Sequence, residues 1–219
     1  MPNGSVSPMQ FNFAELSGKD RYKLMVSTIV PRPIAWVVTQ SAAGIVNAAP
    51  YSFFNGVAGD PPLISISIEG LGGGGRKDTA VNIRASGQFV VNMVNQTLAQ
   101  AMVVTAIDFG PEASEVTEAG LVTAPSVKIE TPRLADSPVG FECEVYKIVE
   151  LPQDRDLVIG RILYMHLADA AVLDEAKRYV DTPALDLIGR MHGGGGYCRT
   201  ADQFELPRIP LSEWKRPAE

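Results

Sequence analysis

Short apolar segments separated by glycine and proline make up most of this chain. Residues 63–68 alternate most clearly, with Ile64, Ile66 and Ile68 on one face and two serines on the other. Alternation with a period of two is typical of a strand that buries one face. By the same reasoning we predict strands at the other apolar segments, namely residues 34–39, 44–48, 88–94, 139–149 and 157–167.

The last two predicted strands are long and lie close together in the sequence. Their alternation places Glu142 and Glu144 on a solvated face, opposite Cys143 and its apolar neighbours. Residues 152–156, between the two strands, are polar and rich in turn-forming residues. This arrangement predicts a long antiparallel hairpin.

Helices are expected to be few and short. Two segments begin with a good N-cap residue, and two carry a proline in the first turn, where its missing N–H is tolerated. These segments are residues 78–85 (N-cap Asp78), 97–106 (N-cap Thr97), 111–119 and 183–191. The pattern as a whole predicts a mainly β fold, an antiparallel barrel of five or six strands with helices as decoration.

Composition narrows the class of protein. The chain has 219 residues and a mass of 23.5 kDa, which predicts a single domain over residues 1–219. The net charge of −6 disfavours binding to nucleic acid. Cys143 and Cys198 lack metal-ligand or disulfide-scaffold spacing and predict reduced thiols in a cytoplasmic protein. No segment predicts a membrane span or a signal peptide.

The glycine-rich segment 70–79 is the first candidate ligand site. Gly70, Gly72 and Gly75 match GxGxxG, but a dinucleotide-binding unit needs an acidic residue about 20 positions later, and none is there. The P-loop pattern also fails, because Ser or Thr does not follow Lys77 directly.

The same segment suits a simpler phosphate site. Arg76 and Lys77 supply positive charge, Thr79 supplies a hydroxyl, and a helix beginning at Asp78 would direct free N–H groups at an anion. The alternative is a flexible exposed hairpin with a solvated Arg–Lys pair. The residues alone leave both interpretations open.

Residues 47–55 form the second candidate, where aromatic rings, small residues and side-chain amides occur together. Such a mixture suits a flat heteroaromatic ligand, although a core aromatic pair beside a loop would look the same. His166 and His192, the two histidines, lack metal-ligand or catalytic-triad spacing, so no metal site is predicted and the catalytic residues stay unassigned. Bound-cofactor chemistry would account for this scarcity.

The third candidate is residues 190–199, in which Arg190, His192 and Tyr197 surround four glycines. This segment suits either a flap over a ligand or a plain connecting loop.

Taken together, these segments resemble the flavin reductase-like, FMN-binding split-barrel family over about residues 20–205. The resemblance rests on an ordered set of strings: Tyr22-Lys23-Leu24, Val30-Pro31-Arg32-Pro33-Ile34-Ala35-Trp36-Val37, residues 47–55, Asp60-Pro61-Pro62, Lys77-Asp78-Thr79, Asn82-Ile83, Phe89-Val90-Val91-Asn92, Ser137-Pro138-Val139 and Tyr197-Cys198-Arg199-Thr200.

The resemblance implies a homodimer of six-stranded split β-barrels with FMN at or near the subunit interface. Lys77, Asp78 and Thr79 would hold the FMN phosphate. The isoalloxazine and ribityl parts would contact a second set of residues: Tyr51, Ser52, Phe53, Phe54, Asn55 and Trp36. The implied activity is hydride transfer from NADH or NADPH to the flavin, which then reduces oxygen, a monooxygenase partner or another acceptor.

Two other functions remain compatible with the sequence. One is a reductase of a different acceptor that keeps its FMN through turnover, and the other is a non-enzymatic FMN-binding or electron-transfer protein. The resemblance assigns no role to residues 190–196 and does not choose between NADH and NADPH.

Overall fold

The structure is a computed structural model, and it describes residues 8–216. Its strands are β1 Ala35–Gln40, β2 Val46–Tyr51, β3 Phe54–Gly59, β4 Pro62–Ile68, β5 Gln88–Met93, β6 Thr123–Ala124, β7 Arg133–Leu134, β8 Val139–Leu151, β9 Arg155–Leu167, β10 Val172–Asp174, β11 Tyr179–Val180, β12 Ile188–Arg190 and β13 Tyr197–Arg199. Its helices are α1 Gly18–Thr28, α2 Asp78–Ser86, α3 Ala99–Val104 and α4 Glu115–Glu118, with 3₁₀ turns at Asp169–Ala171 and Pro183–Leu185.

One antiparallel sheet of seven strands dominates the architecture, in the order β2-β1-β5-β8-β9-β4-β3. The sheet curves so that β2 packs against β4. The mainly β, barrel-type fold predicted from the sequence is therefore confirmed. The strand number differs from the expected six because β3 joins the sheet as an edge strand.

Strand β1 is buried on both faces. Ala35 and Val37 belong to the core inside the curved sheet, whereas Trp36 and Val38 pack outside it with α3 and its surroundings. A strand covered on both sides is apolar throughout instead of alternating. Because β1 joins two cores, its position fixes where the neighbouring ends of β2 and β5 lie.

The predicted hairpin is confirmed, with β8 paired to β9 from Val139↔Leu167 to Leu151↔Arg155. The assignment of Glu142 to a solvated face is wrong. Its side chain is fully buried, and its carboxylate accepts hydrogen bonds from the Val127 and Lys128 backbone N–H groups at 2.7 and 2.6 Å. The His166 ring nitrogen Nε2 lies 2.6 Å from the same carboxylate. These groups hold the pKa of Glu142 below its usual range although burial opposes them.

One other expectation needs correction, and two elements were not predicted at all. The predicted helix over residues 183–191 is a 3₁₀ turn followed by strand β12. Strand β3 was not predicted, because two glycines and an exposed, bulged edge erase its alternation. Helix α1 was missed because most of its side chains are exposed and its apolar pattern is weak. Its start does carry a local signal, since Ser17 Oγ caps the Asp20 N–H.

Helix α2 confirms the predicted start of a helix after the glycine run, although Lys77 and not Asp78 is the N-cap residue. Within residues 8–216, no helix combines the length and apolarity needed to cross a membrane.

Candidate functional site

A cleft lies between the carboxyl end of β2 and the amino end of α2. It has two adjoining parts, which share Pro50, Tyr51, Glu69 and Ala106 as a common wall. We call the part of about 440 Å³ beside α2 the β2–α2 pocket. The other part, of about 210 Å³, is called the arginine pocket because Arg155 and Arg190 line it.

The amino end of α2 faces the β2–α2 pocket. Within the described chain, its N-cap residue Lys77 makes no side-chain capping bond, so first-turn N–H groups lack that partner. Lys77 Nζ lies 3.7 Å from Glu69 Oε1 and 3.6 Å from Asp108 Oδ1. Positive charge from the helix end and the ammonium group therefore meets at one side of the pocket.

A buried hydrogen-bond network lies behind this helix end. Asn47 Oδ1 accepts from the hydroxyls of Thr79 at 2.9 Å and Thr39 at 3.3 Å. Asn47 Nδ2 donates to Glu115 Oε2 at 3.0 Å, and Asn82 Nδ2 donates to the Thr39 hydroxyl at 3.1 Å. Because the Thr79 hydroxyl is used inside this network, its side chain fixes α2 against β2 and leaves its backbone to face a ligand.

Glu115 is a site residue that sequence reasoning missed. Its side chain is buried at the edge of the β2–α2 pocket, and burial raises the pKa of its carboxyl group. The Ala48 backbone N–H also donates to Glu115 Oε2, at 3.3 Å. No local motif marks Glu115, because only the packing of α4 on β2 brings it to the site.

Tyr51 lies in the wall shared by the two pockets. Its hydroxyl is buried and makes no hydrogen bond of ordinary geometry among residues 8–216, although the Thr79 side chain lies close to it. Burial also raises the pKa of this phenol well above its usual value. A buried donor without a partner costs free energy, so Tyr51 marks a position where a bound molecule would supply a missing contact.

Ser52 and Phe53 line the arginine pocket. Ser52 Oγ accepts from Arg32 Nε at 3.3 Å, and the Arg155 guanidinium lies 5.9 Å from the centroid of the Phe53 ring. Arg32 itself is buried, and it donates to the Val26 and Ile29 carbonyls at the end of α1 at 2.7 and 2.8 Å. Arg32, one of the residues in the family resemblance, thus holds the wall of this pocket in place.

Three of the predicted site residues lie outside the lining of both pockets. Trp36 is fully buried in the outer core, where its Nε1 donates to Thr105 Oγ1 at 2.9 Å, and Thr105 in turn lines the β2–α2 pocket. Phe54 packs against the inner core. Asn55 is exposed on β3, with its Oδ1 accepting from the Gly56 N–H. The other predicted site residues, Tyr51, Ser52, Phe53, Lys77, Asp78 and Thr79, are brought together by the cleft.

Arg76 is engaged elsewhere, although it was expected to add positive charge to a phosphate site. Its Nε lies 3.2 Å from Asp156 Oδ2, and its Nη2 lies 3.3 Å from Glu150 Oε1. The glycine run is likewise anchored, because the Gly75 N–H donates to Asp154 Oδ2 at 2.8 Å. These contacts attach the turn to the β8–β9 hairpin. Arg76 also lines the β2–α2 pocket, but its guanidinium is already paired with Asp156 and Glu150, whereas both carboxylates near Lys77 are exposed.

The chain is similar to one protein family and to several solved structures. The family model described as "Flavin reductase like domain" matches residues 26–191. The chain is similar to nitrilotriacetate monooxygenase component B from Bacillus cereus, with 34% identity and a TM-score of 0.87 over 92% of this chain and 100% of that one. It is also similar to 2-nitrobenzoate 2-nitroreductase NbaA from Pseudomonas fluorescens, with 36% identity and a TM-score of 0.85 over 93% of this chain and 97% of that one.

A protein with a split barrel domain from Shewanella frigidimarina superposes with a TM-score of 0.77 over 93% of this chain and 100% of that one. At 22% identity, this likeness shows the fold alone. The curved seven-stranded sheet is therefore a split barrel. Since the family model spans well over half of the sequence, including β2 and α2, this chain belongs to the flavin reductase-like family.

Proposed function

We propose that this chain is an FMN-binding oxidoreductase. It would transfer a hydride from NADH or NADPH to the flavin, whose electrons then pass to oxygen, a partner monooxygenase or another acceptor. The observation that carries the proposal is the lining of the cleft. It combines Lys77 and the amino end of α2, which has no side-chain cap among the described residues, with the aromatic ring of Tyr51. Similarity to a monooxygenase component supports a partner monooxygenase as one destination of the electrons.

The phosphate of FMN fits the amino end of α2. Lys77 would pair with it, and the backbone N–H groups of Asp78 and Thr79 would donate to it. Asp108, which now contacts Lys77, has a side chain 84% exposed. An exposed ion pair is weak, so replacing that carboxylate with a phosphate costs little.

The flat part of the cofactor fits the wall shared by the two pockets. The β2–α2 pocket has a volume of about 440 Å³, within the range of roughly 300–1,000 Å³ that is usual for small-molecule sites. Tyr51 has a buried hydroxyl that lacks a partner among the described residues, and Ser52 and Phe53 continue the wall. Trp36, Phe54 and Asn55 stay predictions, since a contact with FMN would need approach from outside these two pockets.

When bound, FMN supplies the hydride and electron chemistry. The residues of this chain then have to position the cofactor and stabilise negative charge. Lys77 and α2 do so at one end of the cleft, and Arg155 and Arg190 provide positive charge at the other end. The buried network of Asn47 and Glu115 keeps the end of β2 fixed against α2.

We also propose that residues 1–219 act as one domain with a core at about 20–205. Paired backbone bonds between Arg32 and Arg190, at 2.9 and 2.8 Å, join β12 to the segment just before β1. Cytoplasmic location stays a prediction from the cysteine content.

A second candidate function is a reductase that keeps its FMN and reduces a different acceptor. The separate arginine pocket favours it, and the similar protein NbaA is a 2-nitrobenzoate 2-nitroreductase. A non-enzymatic FMN-binding protein is the third alternative.

Steady-state oxidation of NADH and NADPH, with and without added free FMN, separates these functions. A flavin reductase that releases its product gives rates that rise with free FMN. A reductase with fixed FMN gives rates that do not depend on added FMN. Negligible oxidation of both nicotinamides by flavin-loaded protein would contradict the proposed activity.

Titration of flavin-free protein with FMN, followed by quenching of flavin fluorescence, tests the cofactor itself. A nanomolar dissociation constant, about −12 kcal/mol, indicates a fixed group, and a micromolar one, about −8 kcal/mol, indicates a substrate. Absence of saturation at roughly 100 μM would contradict FMN binding.

A further inference from the structure

The arginine pocket differs from the β2–α2 pocket in size and in the chemistry of its walls. Its volume of about 210 Å³ lies below the roughly 300–1,000 Å³ typical of sites for larger ligands. The aromatic side chains of Tyr22, Phe53 and Tyr197 line it together with Arg155 and Arg190. A planar molecule with one ring therefore fits this space better than a dinucleotide does.

Positive charge in this pocket is only partly balanced. Arg155 Nη2 lies 3.6 Å from Glu69 Oε2, but Glu69 also contacts Lys77 at 3.7 Å. Among residues 8–216, neither Arg190 nor the nearby buried Arg32 has a carboxylate oxygen within 4.0 Å. Burial lowers the pKa of Arg32, and the charge of Arg190 lowers it further. An anion in the pocket would stabilise both guanidinium groups.

Arg190 is well placed to bind such an anion. Its guanidinium carbon lies 4.7 Å from the centroid of the Tyr197 ring, and its Nη2 donates to the Gly193 carbonyl at 3.2 Å. Stacking on the ring and this hydrogen bond restrict the side chain. A restrained, planar guanidinium loses little entropy when it forms two parallel hydrogen bonds to a carboxylate.

The glycine-rich segment between β12 and β13 explains how these two side chains meet. Strand pairing sets Arg190 opposite Tyr197 at the end of the hairpin. A Cβ on Gly193 would lie 3.6 Å from Val26 Cγ2 and 3.8 Å from the Tyr22 ring, so the segment passes close to α1. This packing directs Arg190 and Tyr197 toward the pocket that Tyr22 also lines.

We propose that the arginine pocket binds an aromatic carboxylate of one ring, with Arg190 pairing the carboxylate and the aromatic side chains contacting the ring. Such a ligand would lie beside the Tyr51 wall that we assign to the flavin, so its role in turnover rests on the proposed function.

Isothermal titration calorimetry with benzoate and benzamide tests the charge requirement directly. The two probes share a planar ring and differ in charge, and both are titrated at constant ionic strength into flavin-free and FMN-loaded protein. We expect saturable binding of benzoate to at least one of these forms. The dissociation constant of benzamide should be at least tenfold higher, a difference of about 1.4 kcal/mol in binding free energy. Equal affinity for the two probes would overturn the proposal.

Variants identify the residue responsible. Arg190→Gln is expected to raise the benzoate dissociation constant about tenfold or more and to leave benzamide unaffected. Arg190→Lys keeps the positive charge but loses the two parallel donors of the guanidinium group. Its benzoate dissociation constant is expected to lie between those of the unmodified protein and Arg190→Gln. Arg178→Gln, at an exposed arginine on the β10–β11 hairpin, is the matched control and should bind benzoate normally. Unchanged benzoate affinity in Arg190→Gln would overturn the assignment.

Two further measurements distinguish an aromatic carboxylate from phosphate as the ligand, and failure of this inference from failure of the proposed function. If inorganic phosphate competes as strongly as benzoate, the pocket binds phosphate, and this result would contradict an aromatic carboxylate as the ligand. FMN fluorescence quenching is measured on the same samples. Normal FMN binding without benzoate binding defeats this inference alone, whereas benzoate binding without FMN binding defeats the proposed function and leaves the pocket assignment standing.

Discussion

At the scale of single residues, Lys77 and Tyr51 determine how the cleft can hold a ligand. Lys77 contributes charge at the end of α2, where it contacts Glu69 and Asp108. Tyr51 contributes a flat ring and a buried hydroxyl with no partner among residues 8–216. We therefore expect mutations of the two residues to have different effects, because Lys77 acts through its charge and Tyr51 through an unsatisfied hydroxyl.

Replacing Lys77 with Ala should weaken FMN binding about tenfold or more, because a charge-assisted hydrogen bond contributes about 1.5–3 kcal/mol. Riboflavin, which lacks the phosphate, should bind the variant as it binds the unmodified protein. Fluorescence titrations with both flavins measure the difference. Lys147→Ala, at an exposed lysine on β8, is the control. Equal losses for both flavins would remove Lys77 from the phosphate site.

Replacing Tyr51 with Phe should leave flavin-free protein equally stable or up to about 1 kcal/mol more stable, because a buried hydroxyl without a partner is removed. FMN affinity should fall about tenfold if the hydroxyl bonds to the cofactor. Urea unfolding and FMN titration provide the two readouts, with exposed Tyr146→Phe as the control. Clear destabilisation of the flavin-free variant would show that the hydroxyl already has a partner.

At the scale of elements, the β8–β9 hairpin holds α2 and the turn before it. Asp156, fully buried at the start of β9, lies 2.7 Å from Arg84 Nε on α2 and 3.2 Å from Arg76 Nε. Arg84 holds the pKa of Asp156 below its usual range. The position of the amino end of α2, where we propose that the phosphate binds, thus depends on ion pairs with a hairpin distant in sequence.

Asp156→Asn should lower the free energy of unfolding by about 2 kcal/mol at neutral pH. Because the carboxyl pKa is lower in the folded state, this stability is present above the unfolded value of about 4 and is lost as pH falls through the folded value. Urea unfolding from pH 7 down to pH 3 should show the difference shrinking. Glu150→Gln removes an exposed partner of the same arginines and should cost less than about 1 kcal/mol. A pH-independent difference would contradict the ion-pair argument.

Gly160 on β9 is expected to tolerate no larger residue, because a Cβ there would lie 2.4 Å from the Cζ atom of Phe89. Phe89 is fully buried and has no room to move away. Gly160→Ala should therefore lower the free energy of unfolding by about 1–3 kcal/mol in urea titrations. Gly140→Ala on β8 is the control, since its nearest contact would be an ordinary 3.7 Å. Similar effects of the two substitutions would contradict the steric explanation.

At the scale of the whole molecule, much apolar surface is exposed near the carboxyl end of the described chain. The exposed side chains there are Phe204, Leu206, Ile209, Leu211 and Trp214. Exposed apolar surface is often covered by association with another chain. The family resemblance implies a homodimer, and we predict that one forms.

Sedimentation equilibrium should give twice the 23.5 kDa of one chain at micromolar concentration. A series of protein concentrations serves as the control, because a specific dimer keeps this mass over a range, whereas aggregation continues to grow. A constant mass equal to one chain would contradict the homodimer.

Local pattern predicts much of the barrel and the helix start at the Lys77 end of the cleft. Alternation predicts β4, β8 and β9, and the apolar run predicts β1. The capping residue Asp78 predicts α2, although the N-cap is Lys77, one residue earlier. These features depend on residues adjacent in sequence, so each segment contains its own signal. The family strings around Arg32 and Tyr51 were recognisable for the same reason.

The tertiary structure alone decided which faces are covered and which distant residues meet. A period of two shows that Glu142 and Glu144 share a face, but only packing shows that Glu142 is buried against His166. Arg155 and Arg190 lie on different hairpins, and only the closure of the sheet and the pairing of β12 with β13 bring them to one pocket. Burial and long-range contacts depend on the whole fold. For that reason the sequence alone determined most of the large elements, and only the tertiary structure decided which distant residues form the site.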